Sequence, residues 1–310
     1  MPSPPWRRRW SVYSAAAVSV STSVAVAVLQ QRMTADRRLP LRIVFLTSGG
    51  LHGAAVLARL LAEPTMEVAG IVQSTRVLRA SQGSLAGARQ LLSQCGWRYA
   101  AYLGASTWFA DTMLGMMSDR SVRAACRHRR IPLLRTKQVN RPDSIGWVRT
   151  QAPDLVVSAF FNQRIGADVT RLARFGAVNV HPGTLPHFRG VDPVFFAKLG
   201  GMPAGKVTLH RITDDFDCGP VLAADVVNVA NDASVLHTTA ACYQRGASLL
   251  LESIGAICAG EPGVPQAGTA RYDSWPNREQ VEAFHADGHQ LVTASDIAGL
   301  LRGHFPNESP

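Results

Sequence analysis

The sequence predicts an α/β fold, a doubly wound and mostly parallel sheet with a short C-terminal extension. Two observations carry this. Short apolar, β-branched runs recur with helical patterns between them, the alternation that builds a parallel sheet covered by helices. Polar residues also gather just past the ends of these runs, where open α/β sheets take their ligands. Leu41-Arg42-Ile43-Val44-Phe45-Leu46 runs into Thr47-Ser48-Gly49-Gly50, as a buried parallel strand runs into its turn. Ala54 to Ala62 repeats apolar residues at helical spacing, and Val68-Ala69-Gly70-Ile71-Val72 reads as the second strand. Ile131-Pro132-Leu133-Leu134 is a third strand. Asp154-Leu155-Val156-Val157-Ser158-Ala159 is a fourth, preceded by a helical stretch from Ser144 to Gln151. Val178-Asn179-Val180-His181 is the fifth. Val207-Thr208-Leu209-His210 and Val226-Val227-Asn228-Val229 add two more, and Ser234 to Gly260 is a long Ala/Leu-rich helix packing on the sheet.

The fifth strand leads into the most informative stretch, Asn179-Val180-His181-Pro182-Gly183-Thr184-Leu185-Pro186-His187-Phe188-Arg189-Gly190. Two positions apart on an extended segment, Asn179 and His181 point to the same side. Pro182 then stops the strand, so both side chains sit at its mouth. Asp214-Asp215-Phe216-Asp217-Cys218-Gly219-Pro220 supplies a carboxylate-rich turn, with Asp217 38 residues beyond Asn179. An amide, an imidazole and a carboxylate meeting at a strand end suit acyl or formyl transfer.

These runs resemble the folate-dependent formyltransferases, a family that includes glycinamide ribonucleotide, methionyl-tRNA and amino-sugar formyltransferases. The likeness extends from about residue 41 to about 260. It implies transfer of a formyl group from 10-formyltetrahydrofolate to an amine, with no metal and no covalent enzyme intermediate. It also implies that Asn179, His181 and Asp217 are the catalytic set. Folate would lie along Val157, Ala159 and Ile165 and the loop from Asp214 to Gly219. The chain departs from the family in having Gly183 where Ser is common and His187 where a basic residue is common, which leaves the acceptor open. A small amine such as a nucleotide-linked amino sugar is the expected acceptor, with methionyl-tRNA as the alternative. The same trio would serve a hydrolase that lets water attack. A catalytically silent binding module is the reading from another class.

The chemistry suits these residue types. Attack of a neutral amine on the formyl carbon builds a tetrahedral centre with negative oxygen, and one donor aimed at such an oxygen is worth about 3 kcal/mol. The Asn179 amide is a donor at any ordinary pH. His181 can carry a proton near neutrality, and Asp217 can orient and charge that ring.

The glycines after the first strand have two readings, an anion-holding turn built by Ser48, Gly49 and Gly50, or a plain tight turn. They do not spell G-x-G-x-x-G, and Gln73-Ser74-Thr75 stands where an acidic residue would close the second strand, which argues against a nicotinamide dehydrogenase. Arg189 and Gly190 are further substrate-side candidates.

The 310 residues, 46% hydrophobic, suffice for one large core and a small extension. The expected division is an N-terminal extension over 1–40, a catalytic domain over 41–260 with an insertion at about 81–120, and a small extension over 261–310. Of the net charge of +10, residues 1–40 contribute +5 from six Arg and one Asp. A second cluster, Arg123, Arg127, His128, Arg129 and Arg130, reads as a solvated helix face or as a hold for RNA or a nucleotide. The five Cys show neither metal spacing nor a disulfide framework, which fits a reducing compartment. Cys218 beside Asp217 has no part that the chemistry requires.

Arg7-Arg8-Arg9 before the apolar Ala15–Leu29 imitates a signal peptide. Export would separate the chain from cytosolic folate, so the expectation is a cytoplasmic protein with a disordered extension or a true start at Met33, without stable membrane insertion; a targeting segment is the other reading. In the insertion, Trp97, Tyr99, Tyr102, Trp108 and Phe109 with Met113, Met116 and Met117 read as core, or as a lid or homodimer surface. In the tail, Tyr272 and Trp275 either pack on the core or stack on a sugar or base. About 50 residues there read as turn and helices rather than as the five-stranded barrel of tRNA-binding relatives, which disfavours nucleic acid.

Overall fold

The computed structural model describes residues 40–78, 83–117 and 121–302. The expected N-terminal extension and the last residues of the tail lie outside them. In chain order, β1 (Leu41–Thr47) leads to α1 (Gly50–Ala62), β2 (Met66–Ser74) and the insertion. The insertion comprises α2 (Ser84–Gly104), a π-helical turn (Ala105–Phe109) and α3 (Ala110–Met117). Then come α4 (Val122–Arg129), β3 (Leu133–Thr136), α5 (Pro142–Thr150), β4 (Leu155–Ala159), α6 (Ala167–Thr170) and β5 (Ala177–His181). The remainder is β6 (Arg189–Gly190), α7 (Pro193–Leu199), β7 (Lys206–Arg211), β8 (Val221–Val226), α8 (Val235–Cys258), β9 (Tyr272–Asp273), α9 (Arg278–Ala286) and α10 (Ala294–Arg302).

Seven strands form one sheet in the order β3-β2-β1-β4-β5-β7-β8. The pairs from β3 to β5 are parallel, and β7 and β8 join antiparallel. The chain winds outward from β1 to β3, then restarts at β4 on the other side of β1, the doubly wound topology that the sequence predicts. Every residue of β4 is buried, as its unbroken apolar run requires in a central parallel strand. No residue of β8 is fully buried, and Ala224 and Val226 are exposed, as an edge strand allows. On one face α1, α4 and α8 pack a core around Phe45, Leu57 and Val180. On the other, Val148 of α5 and Val169 of α6 close over Val44, Leu46 and Val156.

Two strand boundaries differ from expectation. The third strand begins at Leu133 rather than Ile131, because Pro132 has no N–H for the ladder; its carbonyl still accepts from Ile71 N at 2.9 Å. The last strand is Val221–Val226, so Val227–Val229 lie beyond it; Val227 N turns to Gly205 O instead, at 2.8 Å. Residues from 40 onward, the tail included, form one compact unit. Val281, Phe284, Leu291 and Leu300 of the tail share a core with Tyr99 and Tyr102 of the insertion and Phe195 of α7. Asn277 and Gln280 form a capping box that starts α9. Among the described residues no helix is long and apolar enough to cross a membrane.

One buried group gives the fold an acid weakness. His52 on α1 is fully buried, stacked on Tyr243 of α8 at 5.3 Å and set edge-on to Phe160 at 4.9 Å. Neither ring nitrogen has a hydrogen-bond partner, and burial pushes the imidazole down to about 3. The folded state therefore excludes a proton that the unfolded chain binds below about 6.5, and stability is lost as pH falls below that value, by about 2 kcal/mol at pH 5. His52→Phe is expected to shrink the fall in Tm between pH 7.5 and pH 5 relative to the native chain, measured by thermal unfolding. An identical fall in both proteins would contradict it.

Candidate active site

β5 and β7 pair so that Asn179 lies opposite His210 and His181 opposite Thr208. Both strands alternate apolar and polar residues here, so the four polar side chains share one face of the sheet. Past the carboxyl end of β5, the loop between β7 and β8 carries Asp217 back over that face. Asp217 adopts a left-handed φ of 53°, which turns its carboxylate inward.

Three side chains converge on a single oxygen, Asp217 Oδ1. Asn179 Nδ2 donates to it at 3.4 Å, and His181 Nδ1 and His210 Nε2 each lie 3.6 Å away. The other oxygen, Oδ2, accepts the Gly190 backbone N–H at 2.9 Å. The ring tautomers follow from the outer contacts. His181 Nε2 is 2.7 Å from Phe188 O and must carry the hydrogen, since a carbonyl cannot donate; Nδ1 is then a free lone pair facing Asp217. His210 Nδ1 donates likewise to Arg211 O at 2.8 Å, which leaves Nε2 to accept from Asn179 Nδ2 at 3.1 Å.

The electrostatics separate the roles. Burial pushes the His181 imidazole below its ordinary value, with His210 acting in the same direction and Asp217 only partly opposing. At neutral pH the ring is an uncharged base. Burial also opposes ionisation of Asp217, but His181, His210 and the Gly190 N–H outweigh it and hold the carboxyl at about 2. Asp217 is thus a fixed negative charge and a poor proton acceptor, whereas His181 accepts a proton and gains an ion-pair partner in doing so. The His181 and Asp217 side chains are only 4% and 12% exposed, so the field between them is weakly screened.

The structure brings together Asn179, His181 and Asp217 and adds His210, which the sequence reading left unassigned. Its signal was the polar-apolar alternation of Val207-Thr208-Leu209-His210, matching that of β5. The candidate folate residues lie differently. Val157 and Ala159 are fully buried in the core and Ile165 is nearly so, while Asp214 is exposed. Gly219 is buried in the turn after Asp217. Of the substrate-side candidates, Arg189 and Gly190 form β6 beside the centre. Gly49 and Gly50 adopt φ of 83° and 65° and are buried. A Cβ on Gly50 would lie 2.4 Å from Ser106 O, so the π-helical turn of the insertion sits directly on this glycine turn, which favours the tight-turn reading. A Cβ at Gly183 would lie 2.6 Å from Pro193 Cβ, which accounts for glycine at that departure from the family.

Arg123, Arg127, His128, Arg129 and Arg130 are all exposed along α4 and its cap, as a solvated face requires. In the insertion Tyr99 and Tyr102 are buried while Trp97, Trp108 and Met116 are exposed. Tyr272 is exposed and Trp275 partly buried against the tail's core. Among the described residues no three His, Cys, Asp or Glu side chains group as metal ligands.

Gly219 fixes the height of the Asp217 turn. A Cβ there would lie 1.8 Å from Arg211 O, a clash of backbone on backbone. Gly219→Ala is expected to lower Tm by about 5–10 °C, from an overpacking cost of about 2–3 kcal/mol. An unchanged Tm would contradict this packing.

Fold and centre together define a doubly wound α/β domain with a buried amide–imidazole–carboxylate cluster past its fifth strand. Residues 110–254 match the family model described as "Formyl transferase". The match takes in Asn179, His181, His210 and Asp217 and leaves β1, α1 and β2 outside it. The chain is 28% identical over 223 residues to the methionyl-tRNA formyltransferase of Roseiflexus sp., covering 72% of this chain and 58% of that protein. It is 30% identical over 140 residues to that of Herpetosiphon aurantiacus, covering 45% and 46%. The chain thus spans about half the length of the curated relatives it matches. Among solved structures, a 4-N formyltransferase from Francisella tularensis superimposes with a TM-score of 0.49 at 16% identity, over 86% of this chain and 89% of that one.

Proposed function

We propose that the chain transfers a formyl group from 10-formyltetrahydrofolate to a primary amine of a small substrate, such as a nucleotide-linked amino sugar. The observation that carries this reading is the convergence of Asn179, His181 and His210 on Asp217 Oδ1. In this reading the amine nitrogen attacks the formyl carbon and its proton passes to His181 Nδ1. The carbonyl electrons move to oxygen, which takes over the long Asn179 N–H now given to Asp217, while the shorter bond to His210 keeps the amide oriented. Asp217 stabilises the resulting imidazolium. That proton then returns to the folate nitrogen as its bond to carbon breaks. Tetrahydrofolate and the formamide leave, and His181 is neutral again.

Folate is placed along Val157, Ala159, Ile165 and the Asp214–Gly219 loop. Val157 and Ala159 are buried in the core and paired within the sheet, so the Asp214–Gly219 loop is the part of this path open to a ligand. The described residues of the tail form two helices packed on the core and a two-residue strand. Methionyl-tRNA is the second reading, favoured by the names of the curated relatives.

The test is tetrahydrofolate release from 10-formyltetrahydrofolate with no acceptor, with nucleotide-linked amino sugars and with initiator methionyl-tRNA. Release dependent on an amine supports transfer and names the acceptor class. Release with water alone makes the chain a hydrolase. Absence of both release and folate binding would sink the reading in favour of a silent module.

A further inference from the structure

We infer that Gln266, in the tail, is a positioning residue that sets Asp217 against His181; the inference rests on the formyl-transfer reading of that centre. From Glu261 to Tyr272 the chain is exposed except at Gly263 and Gln266. The Gln266 side chain uses all its bonding capacity inward. Its amide nitrogen, Nε2, donates to Asp217 O and to Gly219 O, both at 2.8 Å, and so spans the turn from either side. Its Oε1 accepts from the Arg189 guanidinium at 2.7 Å and 3.2 Å.

The two ends of this amide therefore hold the two segments that meet at the carboxylate. One is the turn that carries Asp217 in a left-handed conformation. The other is β6, whose Gly190 N–H binds Asp217 Oδ2. A left-handed aspartate costs backbone energy and persists only where its surroundings enforce it. The neighbouring tail fixes Gln266 in turn. Val264 exchanges two backbone bonds with Val221, at 2.7 Å and 2.8 Å, and β9 pairs with β6. The tail thereby reaches the reaction centre through one side chain.

Gln266→Met keeps the shape and removes every bond. Gln266→Glu keeps an acceptor for Arg189 and removes the donors to the Asp217 turn. Both are expected to lower kcat about 100-fold, the cost of a displacement of about 1 Å at a reacting centre, with KM for 10-formyltetrahydrofolate changed less than about threefold. Independently of turnover, NMR titration of the His181 ring in Gln266→Met is expected to show its pKa lower than in the native chain by about 0.5 or more, because Asp217 has moved away. Native kcat in Gln266→Glu would reduce the residue to a brace for Arg189 and overturn the inference. So would an unchanged His181 titration in Gln266→Met. If the native chain forms no product with any amine, the formyl-transfer reading fails, while the titration still decides whether Gln266 sets the geometry of Asp217.

Discussion

Replacing His181 by Gln is expected to lower kcat by about 10²–10⁴-fold, the range that a positioned acid–base group supplies, while 10-formyltetrahydrofolate still binds. The substitution is chosen to isolate chemistry from architecture. A glutamine amide can keep the hydrogen bond that His181 Nε2 gives to Phe188 O, so the loop that carries Arg189 and Gly190 stays anchored. It has no basic lone pair to replace Nδ1. Asn179→Ala should lose a comparable factor by a different route, since it removes the donor for the developing oxyanion, typically about 10²–10³-fold. Steady-state release of tetrahydrofolate and calorimetric binding of the folate, run on the same preparations, separate the two quantities. A silent binding module would show no turnover in the native chain and would keep its binding function in both variants. Native turnover in folded His181→Gln would remove His181 from the mechanism altogether. The pH profile adds a second check. Because burial lowers the His181 pKa, the base stays neutral through pH 7, and the acidic limb of kcat should lie below pH 6.5 rather than above it.

The sheet and the trio were legible in the sequence for a common reason. A strand buried on both faces must be apolar throughout, so Leu155–Ala159 announces itself, and polar residues at the end of β5 stand out against that background. Asp217 was legible through its turn chemistry. What escaped were groups whose role depends on pairing across strands or on backbone. His210 has an ordinary strand position, and only the antiparallel register of β7 on β5 puts it opposite Asn179. Phe188 O and Gly190 N act through main-chain atoms, which no side-chain pattern encodes. Of the folate candidates, Val157 and Ala159 are members of a central strand, and their side chains are committed to the core. The glycine turn after β1 kept two readings in the sequence because the residue that covers it, Ser106, lies more than 50 positions further along the chain.

Asp217→Asn is expected to cost about 10²–10³ in kcat, and its effect on the acidic limb distinguishes charge from shape. The variant keeps the size of the side chain, and with its oxygen turned toward Gly190 it keeps that N–H bond. The amide nitrogen then replaces Oδ1, the atom on which Asn179, His181 and His210 converge. Two consequences follow from one atom. The new N–H group can donate to His181 Nδ1, occupying the lone pair that must take the proton from the amine. It also meets the Asn179 amide donor to donor, pressing that side chain away from its seat beside His210. Loss of the negative charge, meanwhile, removes the one neighbour that raises the His181 pKa from the side of Nδ1, so the ring becomes a weaker base. The acidic limb should therefore move to lower pH as the plateau falls. A stability readout tests the same charge. Asp217 is ionised in the folded state down to about 2, below the ordinary carboxylate value, so its contribution is present at neutral pH and lost in acid. Asp217→Asn should accordingly lower Tm more at pH 7 than at pH 3. A fallen plateau with an unmoved limb would mean that Asp217 acts by shape alone, and the charge pairing with His181 would then have no place in the reaction.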